Sequence, residues 1–151
     1  KNVPGEVDAL RQRLENWGGN SSGVNISNID NLGNVHPDTF WWDYNLGNVR
    51  DKKFSEIWAN PEDELMKGFR MSPRPVKGRC GECKFLKICG GNTRVRAYSL
   101  TDDPWAEDPA CYLSNEEIGV ETEEDDRMPL PSAEHAAAVE KKQQFINAVN
   151  I

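Results

Sequence analysis

Four cysteines at the spacing C-x2-C-x5-C-x21-C constrain the fold of this chain more than any other feature. They are Cys80, Cys83, Cys89 and Cys111. Hydrophobic residues make up only 37% of the 151 residues, so the apolar core has to be small. In small domains of this kind, the bonds to a metal supply much of the folding energy. The spacing therefore predicts a cysteine-bound centre that holds the surrounding loops together.

Several kinds of site use four cysteines. Three close ligands and one remote ligand are typical of an iron–sulfur cluster, and Gly90-Gly91 lets backbone N–H groups approach inorganic sulfide. A structural zinc site more often uses two separate C-x2-C pairs, which Cys89 and Cys111 do not form. Two disulfides or a thioredoxin-like redox pair are also open, although the second lacks its usual strand-and-helix context. The residues alone favour a cluster and leave these three alternatives.

The formal net charge of −7 is concentrated at one end of the chain. Residues 1–115 hold 16 acidic and 15 basic side chains, whereas residues 116–151 hold 9 acidic and 3 basic ones. Eight of the basic side chains lie between residues 70 and 96, where Glu82 is the single acid. Four thiolates leave a net charge of about −2 on an oxidised four-iron cluster, and nearby Arg and Lys can offset it.

The polar composition excludes several protein classes. Mean hydropathy is −0.73, and no apolar run approaches the roughly 18–20 residues that span a bilayer, so no membrane partner is expected. The N-terminus has no signal-peptide pattern, and it begins with Lys1 rather than Met. We expect a chain that is processed or excised from something longer, with no nucleic-acid partner.

The N-terminal third predicts a helix followed by a hairpin. Apolar residues at helical spacing predict an amphipathic helix over residues 4–17, ended by Gly18-Gly19. Residues 23–29 alternate like a strand, and residues 34–36 can return as its partner. We expect the aromatic cluster that follows to be core, namely Phe40, Trp41, Trp42 and Tyr44.

The rest of the chain predicts short helices and a polar tail. One helix is expected over residues 53–59 and a second from an Asn60 N-cap to about Phe69. Helical spacing also appears at residues 93–100, and Ser114 fits a capping box. The tail divides into an acidic linker and a final helix, at residues 119–131 and 132–151.

Five stretches carry a highly specific combination of motifs, at residues 33–38, 46–49, 54–58, 78–97 and 102–113. Together they resemble a SPASM domain, the C-terminal extension of many radical SAM enzymes, and the resemblance covers roughly residues 15–118. It is strongest to the enzymes that modify tetrapyrroles in haem d1 biosynthesis and in the alternative haem pathway. The resemblance implies a radical SAM core domain in the same or a separate chain, an electron donor or acceptor protein, and a sirohaem-derived substrate that loses carboxylate side chains.

Two departures from the family pattern limit what the resemblance implies. The full SPASM pattern has seven cysteines for two clusters, and Asp38, Lys52 and Thr93 stand approximately where it places the missing ligands. The four cysteines present match the complete ligand set of the second auxiliary cluster, which implies one [4Fe–4S] cluster. No C-x3-C-x2-C motif occurs in the 151 residues, so the chain alone should not cleave S-adenosylmethionine, and it should contain no catalytic residue of its own.

Three further side chains are candidates for substrate binding. Arg94 and Arg96 alternate, so we expect both guanidiniums on one side of their segment, where they either compensate the cluster charge or bind substrate carboxylates. His36 lies beside the aromatic cluster, where it is either structural or a contact to substrate or iron.

The sequence as a whole predicts a small α+β domain with a β-hairpin, short helices and a cysteine-ligated cluster. We divide it into an N-terminal helical segment (1–22), a SPASM-like iron–sulfur domain (23–118), the acidic linker (119–131) and a C-terminal helix (132–151). The competing hypothesis is a non-enzymatic, zinc-stabilised interaction module whose tail binds a partner protein.

Overall fold

Seven short helices and one small antiparallel sheet make up the part of the chain that the computed structural model describes, residues 5–59 and 62–121. The predicted α+β class is confirmed. In chain order the elements are α1 (Glu6–Trp17), β1 (Asn28–Ile29), β2 (Asn34–His36), β3 (Gly47–Asn48), α2 (Phe54–Ala59), α3 (Glu64–Arg70), α4 (Gly78–Glu82), α5 (Leu86–Cys89), α6 (Arg94–Thr101) and α7 (Asn115–Ile118).

Helix α1 forms as predicted and ends where the glycine pair begins. Gly18 adopts the left-handed conformation (φ 71°) and donates its N–H to the carbonyl of Leu14, which closes the last turn. None of the residues of α1 is buried, and Val7, Leu10 and Trp17 are all more than half exposed. Of the apolar residues of α1 only Leu14 is half-buried, although the helix itself packs against α5.

The predicted hairpin is confirmed, but its first strand was expected over residues 23–29 and β1 covers only Asn28–Ile29, because residues 23–25 form a turn. A third strand extends the hairpin. β1 pairs antiparallel with β2, with Ile29 opposite Val35, and β3 pairs with the other edge of β2, with Gly47 opposite Val35. The turn between β1 and β2 is built around one carboxylate. Asp30 accepts hydrogen bonds from the backbone N–H groups of Leu32 and Asn34 and from the side-chain amide of Asn34.

Acid should weaken this turn through Asp30. The amide of Asn34, the turn N–H groups and His36 hold the pKa of Asp30 at about 2, below its ordinary value of 3.8. Because the folded pKa is the lower one, the stabilisation is complete above the unfolded pKa and is lost as the pH falls through the folded pKa. We expect Asp30→Asn to reduce the loss of unfolding free energy between pH 5 and pH 3, measured with urea. The control is Asp51→Asn, which changes an exposed carboxylate. This variant should lose as much unfolding free energy between pH 5 and pH 3 as the unsubstituted protein does.

The hydrophobic core lies between α3 and the aromatic segment after β2. Trp41, Leu65, Met66 and Phe69 form its buried centre. The ring of Trp41 packs edge-on against Phe69 at 5.8 Å between centroids. Trp105 packs against Phe69 from the far side of the domain, at 5.7 Å. Aromatic edge-to-face contacts of this kind stabilise a small core beyond their area.

Two of the four aromatic residues predicted to be core are instead on the surface. Trp41 is buried and Tyr44 is half-buried, but Phe40 and Trp42 are 64% and 67% exposed. Consecutive side chains of a non-helical segment point in different directions, so a run of adjacent aromatics cannot all enter one core. The expectation for Phe40 and Trp42 was wrong for this reason.

The helix predicted from an Asn60 cap begins later. α3 starts at Glu64, and its N-cap is Asp63, whose carboxylate accepts from the N–H of Met66 at 3.0 Å. Residues 60 and 61 lie outside the described residues. The expected helices at 53–59 and 93–100 correspond to α2 and α6, and the capping box at Ser114 is confirmed at the start of α7.

The tail predictions lie almost entirely beyond the described residues. Only residues 119–121 of the acidic linker are within them, and the predicted C-terminal helix over 132–151 is not. No helix among residues 5–59 and 62–121 is long and apolar enough to cross a membrane.

Candidate metal centre

All four cysteines line one cavity of about 190 Å³. Cys80 comes from α4, Cys83 directly follows that helix, Cys89 ends α5, and Cys111 comes from the loop before α7. All four are free thiols, so the two-disulfide alternative does not match this arrangement. Cys80 is buried, Cys83 and Cys111 are half-buried, and Cys89 is exposed. The cavity therefore lies close to the protein surface.

Within the described part of the chain, no three His, Cys, Asp or Glu side chains are close enough to hold one metal ion. The thiol donors that line the cavity are those preferred by clusters and by zinc.

Tight backbone turns bring the cysteines to the cavity. Gly90 and Gly91 both have positive φ, and Gly90 donates its N–H to the carbonyl of Leu86 to close α5. Asn92 is also left-handed (φ 57°) and donates to the carbonyl of Cys89 at 3.0 Å. This run of left-handed residues reverses the chain immediately after the third cysteine, which explains the Gly-Gly-Asn sequence at this point.

Backbone N–H groups point at the sulfurs. The N–H of Phe85 lies 3.3 Å from the sulfur of Cys83, and the N–H of Asp108 lies 3.3 Å from the sulfur of Cys80. Burial raises the pKa of the Cys80 and Cys89 thiols, and N–H groups directed at each sulfur oppose that shift. Such donors favour the thiolate form and tune a bound cluster.

Three buried arginines surround the cysteine loops. Arg74, Arg79 and Arg94 are between 0% and 8% exposed, and none of them is in an ion pair within the described residues. Burial lowers the pKa of Arg94, and the charges of Cys80, Asp108 and Cys89, in that order, oppose that shift. A buried guanidinium without a counter-charge is costly. Arg79, the one of the three that lines the cavity, therefore calls for an anionic group there.

The guanidiniums of Arg74 and Arg94 bind backbone carbonyls. Arg74 donates to the carbonyls of Phe69, Gly90 and Asn20, so one side chain joins α3, the cysteine loop and the segment after α1. Arg94 donates in the same way to three carbonyls, those of Gly91, Pro104 and Ala106. Each arginine ties a loop that carries a cysteine to a more distant part of the chain.

The structure separates the two arginines predicted to share a face. α6 is a helix, so side chains two positions apart point in different directions. Arg94 is fully buried and bound to carbonyls, whereas Arg96 reaches the buried carboxylate of Asp108 in a bidentate pair at 2.7 and 3.1 Å. The expectation of two guanidiniums on one side is wrong, and the guanidinium of Arg94 is not exposed to a substrate.

His36 is 3% exposed, and its ring bridges two parts of the hairpin region. One ring nitrogen lies 2.7 Å from the carbonyl oxygen of Tyr44, and the other lies 3.4 Å from the carboxylate of Asp30. These contacts match a structural role for His36 rather than a contact to substrate or iron.

The three residues at the positions of the missing SPASM ligands have other environments. Asp38 is buried and binds the hydroxyl of Ser22 and the N–H of Phe40. Lys52 is exposed. Thr93 precedes α6 as its N-cap residue. None of the three lines the cavity that the cysteines share.

Sequence reasoning missed the most important supporting residues, Arg74 and Arg79. Both were counted among the basic residues near the cysteines, but nothing in the spacing distinguishes a buried arginine from an exposed one. Asp108 was also missed, although its N–H contacts Cys80 and its carboxylate holds Arg96. Its place three residues before Cys111 is the one signal that could have identified it.

The end of α1 packs directly on the cysteine loop, and glycine is required there. Gly19 has φ +82°, and a Cβ on it would overlap the carbonyl of Cys89. Gly18 has a similar φ of +71°, but a Cβ there meets nothing within 4 Å. The pair therefore separates the cost of a strained backbone from the cost of a steric clash.

We expect Gly19→Ala to lower the free energy of unfolding by at least about 2 kcal/mol more than Gly18→Ala, because backbone atoms cannot move aside as a side chain can. Urea unfolding of the two variants measures the difference. Equal destabilisation by both substitutions would show that α1 does not contact the cysteine loop in solution.

Comparison with known proteins agrees with this site. The SPASM family of iron–sulfur cluster-binding domains matches residues 23–84, which include Cys80 and Cys83. Cys89 and Cys111 lie beyond the matched segment, so their place in the site rests on the cavity that they share with the first two. No solved structure matches the chain.

Curated relatives extend over most of the chain. A pre-heme d1 synthase of Dinoroseobacter shibae is 55% identical over 120 residues, which are 80% of this chain and 30% of that protein. An Fe-coproporphyrin III synthase of Methanosarcina barkeri is 50% identical over 104 residues, 67% of this chain and 26% of that protein. An AdoMet-dependent heme synthase of Oleidesulfovibrio alaskensis is 35% identical over 89 residues, 59% of this chain and 22% of that protein. The chain thus spans less than a third of the length of these relatives.

Proposed function

From the premise that residues 23–84 are a SPASM iron–sulfur cluster-binding domain, we propose that the four cysteines together hold one [4Fe–4S] cluster. Cys80, Cys83, Cys89 and Cys111 are its ligands in this proposal. The observation that carries it is the cavity that all four thiols line, with the buried Arg79 in its wall and no ion-pair partner for that arginine in the described chain. Four thiolates and their cluster supply the anionic charge that this arginine lacks.

The spacing of the cysteines favours a cluster over zinc. Three close ligands and one remote ligand are typical of an iron–sulfur cluster, and Cys80, Cys83, Cys89 and Cys111 have that arrangement. A structural zinc site more often uses two separate C-x2-C pairs, which Cys89 and Cys111 do not form.

The cluster supplies one-electron chemistry when it is bound. The residues of this chain hold it and control its surroundings. N–H groups of Phe85 and Asp108 donate toward two of the sulfurs, and Arg94 fixes the loop after Cys89 through the carbonyl of Gly91. The exposed Cys89 places one side of the site at the surface, where another domain or a redox protein can approach.

We assign this cluster domain to a radical SAM enzyme that modifies tetrapyrroles. The relatives named above are a pre-heme d1 synthase, an Fe-coproporphyrin III synthase and an AdoMet-dependent heme synthase, and this chain spans less than a third of their length. In our proposal the parent enzyme removes carboxylate side chains from a sirohaem-derived tetrapyrrole in the cytoplasm. The cluster domain transfers electrons to or from that reaction or positions the substrate beside a radical SAM core, which binds S-adenosylmethionine.

Visible absorption tests the cluster against the zinc-stabilised alternative. We expect anaerobically purified protein to be brown, with broad visible absorption that fades when dithionite is added. Colourless protein with stoichiometric zinc would instead support the non-enzymatic interaction module.

A second experiment tests whether S-adenosylmethionine is cleaved by a separate core domain. Because no C-x3-C-x2-C motif occurs in the 151 residues, the chain with dithionite and S-adenosylmethionine should release no 5′-deoxyadenosine above a control without protein. Release above that control would contradict the assignment of S-adenosylmethionine cleavage to another part of the enzyme.

A further inference from the structure

We propose that Arg79 raises the reduction potential of the bound cluster by placing its guanidinium against the sulfur of Cys111. This inference rests on the proposed function, since it concerns the cluster that the four cysteines would hold. Arg79 acts here as a positioning and tuning residue, because it contacts a ligand of the cluster and takes no part in the reaction itself.

The guanidinium of Arg79 is held in one place. Its Nη2 lies 3.7 Å from the sulfur of Cys111 and also donates to the carbonyl of Leu113. Arg79 is only 8% exposed, and the backbone on its other side is fixed by the carboxylate of Glu107, which accepts the Arg79 N–H at 3.0 Å. The side chain therefore has little freedom to move its charge away from the sulfur.

Arg79 differs from the other two buried arginines in what it faces. Arg74 and Arg94 bind carbonyl oxygens and do not line the cavity, whereas Arg79 lines it beside Cys80 and Cys111. The Nε atoms of Arg79 and Arg94 are both buried without a hydrogen-bond partner within residues 5–59 and 62–121, but only Arg79 lines the cavity. A buried cation with an unused donor at the wall of a cavity indicates an anionic occupant.

The sign of the effect follows from the charges. A cluster with four thiolate ligands gains one more negative charge when it accepts an electron from a one-electron donor. A cation held close to one ligand sulfur stabilises the more negative, reduced state more than the oxidised state. Removal of that cation should therefore make the cluster harder to reduce.

The experiment is an anaerobic redox titration of the loaded protein with dithionite and mediators, followed by paramagnetic resonance. We expect Arg79→Gln to keep its iron and to shift the reduction equilibrium toward the oxidised state by at least about tenfold, a fall of about 59 mV for one electron. Arg79→Lys keeps the charge and should recover most of the shift. The control is Arg70→Gln, because Arg70 is exposed, does not line this cavity, and contacts Trp58 and the carbonyl of Gly23.

Each outcome decides the proposal. An unchanged potential in Arg79→Gln, as in the control, overturns it. Arg79→Gln could hold no iron while Arg79→Lys holds iron at the reduction potential of the unsubstituted protein. That result would support the requirement of the cluster site for a positive charge at position 79. If neither variant holds iron, the role of Arg79 is structural and the proposal is wrong. If the unsubstituted protein itself binds no cluster, the proposed function has failed, and the titration shows this before any variant is compared.

Discussion

Replacement of Cys111 by serine is expected to cost the site its complete cluster. Cys80, Cys83 and Cys89 lie within ten residues, so they are gathered with little loss of chain entropy, whereas Cys111 closes a further loop of 21 residues. In a chain-entropy description, closing a loop of that length contributes about 3 kcal/mol. We expect iron to fall to roughly three atoms per chain or fewer, with a changed paramagnetic resonance spectrum.

Limited proteolysis gives a second measurement on the same variant. Without its fourth ligand the segment between residues 90 and 110 loses its attachment to the site, so cleavage there should increase. Ala9→Ser introduces the same hydroxyl at an exposed position outside the cavity and should change neither iron content nor protease resistance. Full iron content, an unchanged spectrum and unchanged resistance in Cys111→Ser would show that Cys111 is not a ligand.

Replacement of Arg94 by methionine is expected to destabilise the fold by about 3 kcal/mol. Methionine has no N–H group, so the buried carbonyls that accept from the Arg94 guanidinium would be left unpaired. Its guanidinium holds the carbonyls of Gly91, Pro104 and Ala106, which connect the third cysteine's loop to the loop before the fourth cysteine. Urea unfolding of the loaded protein measures the loss.

Arg11→Gln is the matched control for the Arg94 substitution. Arg11 forms an exposed pair with Glu15 on α1 at 3.1 Å, and its replacement should cost less than about 0.5 kcal/mol. If Arg94→Met is no more destabilising than Arg11→Gln, then Arg94 does not join the two cysteine loops.

The secondary structure could be predicted where its signals are local. The glycine pair ended α1, the Asp30 turn closed the hairpin, and Ser114 capped α7 as expected. The N-cap of α3 could not be chosen from sequence, because Asn60 and Asp63 both precede a helical pattern and only the observed bond to Met66 decides between them. β3 has two residues, too few to show alternation.

The candidate site could be predicted only in its cysteines. Spacing and the glycine pair indicated the four cysteines, and the structure places all four on one cavity. The burial of Arg74, Arg79 and Arg94 depends on contacts with residues as far away as Asn20, Pro104 and Leu113. A local sequence pattern does not show such long-range contacts. The basic stretch was therefore interpreted as a patch of surface charge, although three of its arginines are buried.

The iron and acid-labile sulfide bound per chain after anaerobic reconstitution test the central claim most directly. We predict about four iron and about four sulfide per chain, held by the four cysteines, with little zinc. Less than about one iron per chain, with stoichiometric zinc in its place, would contradict the assignment of Cys80, Cys83, Cys89 and Cys111 to an iron–sulfur cluster.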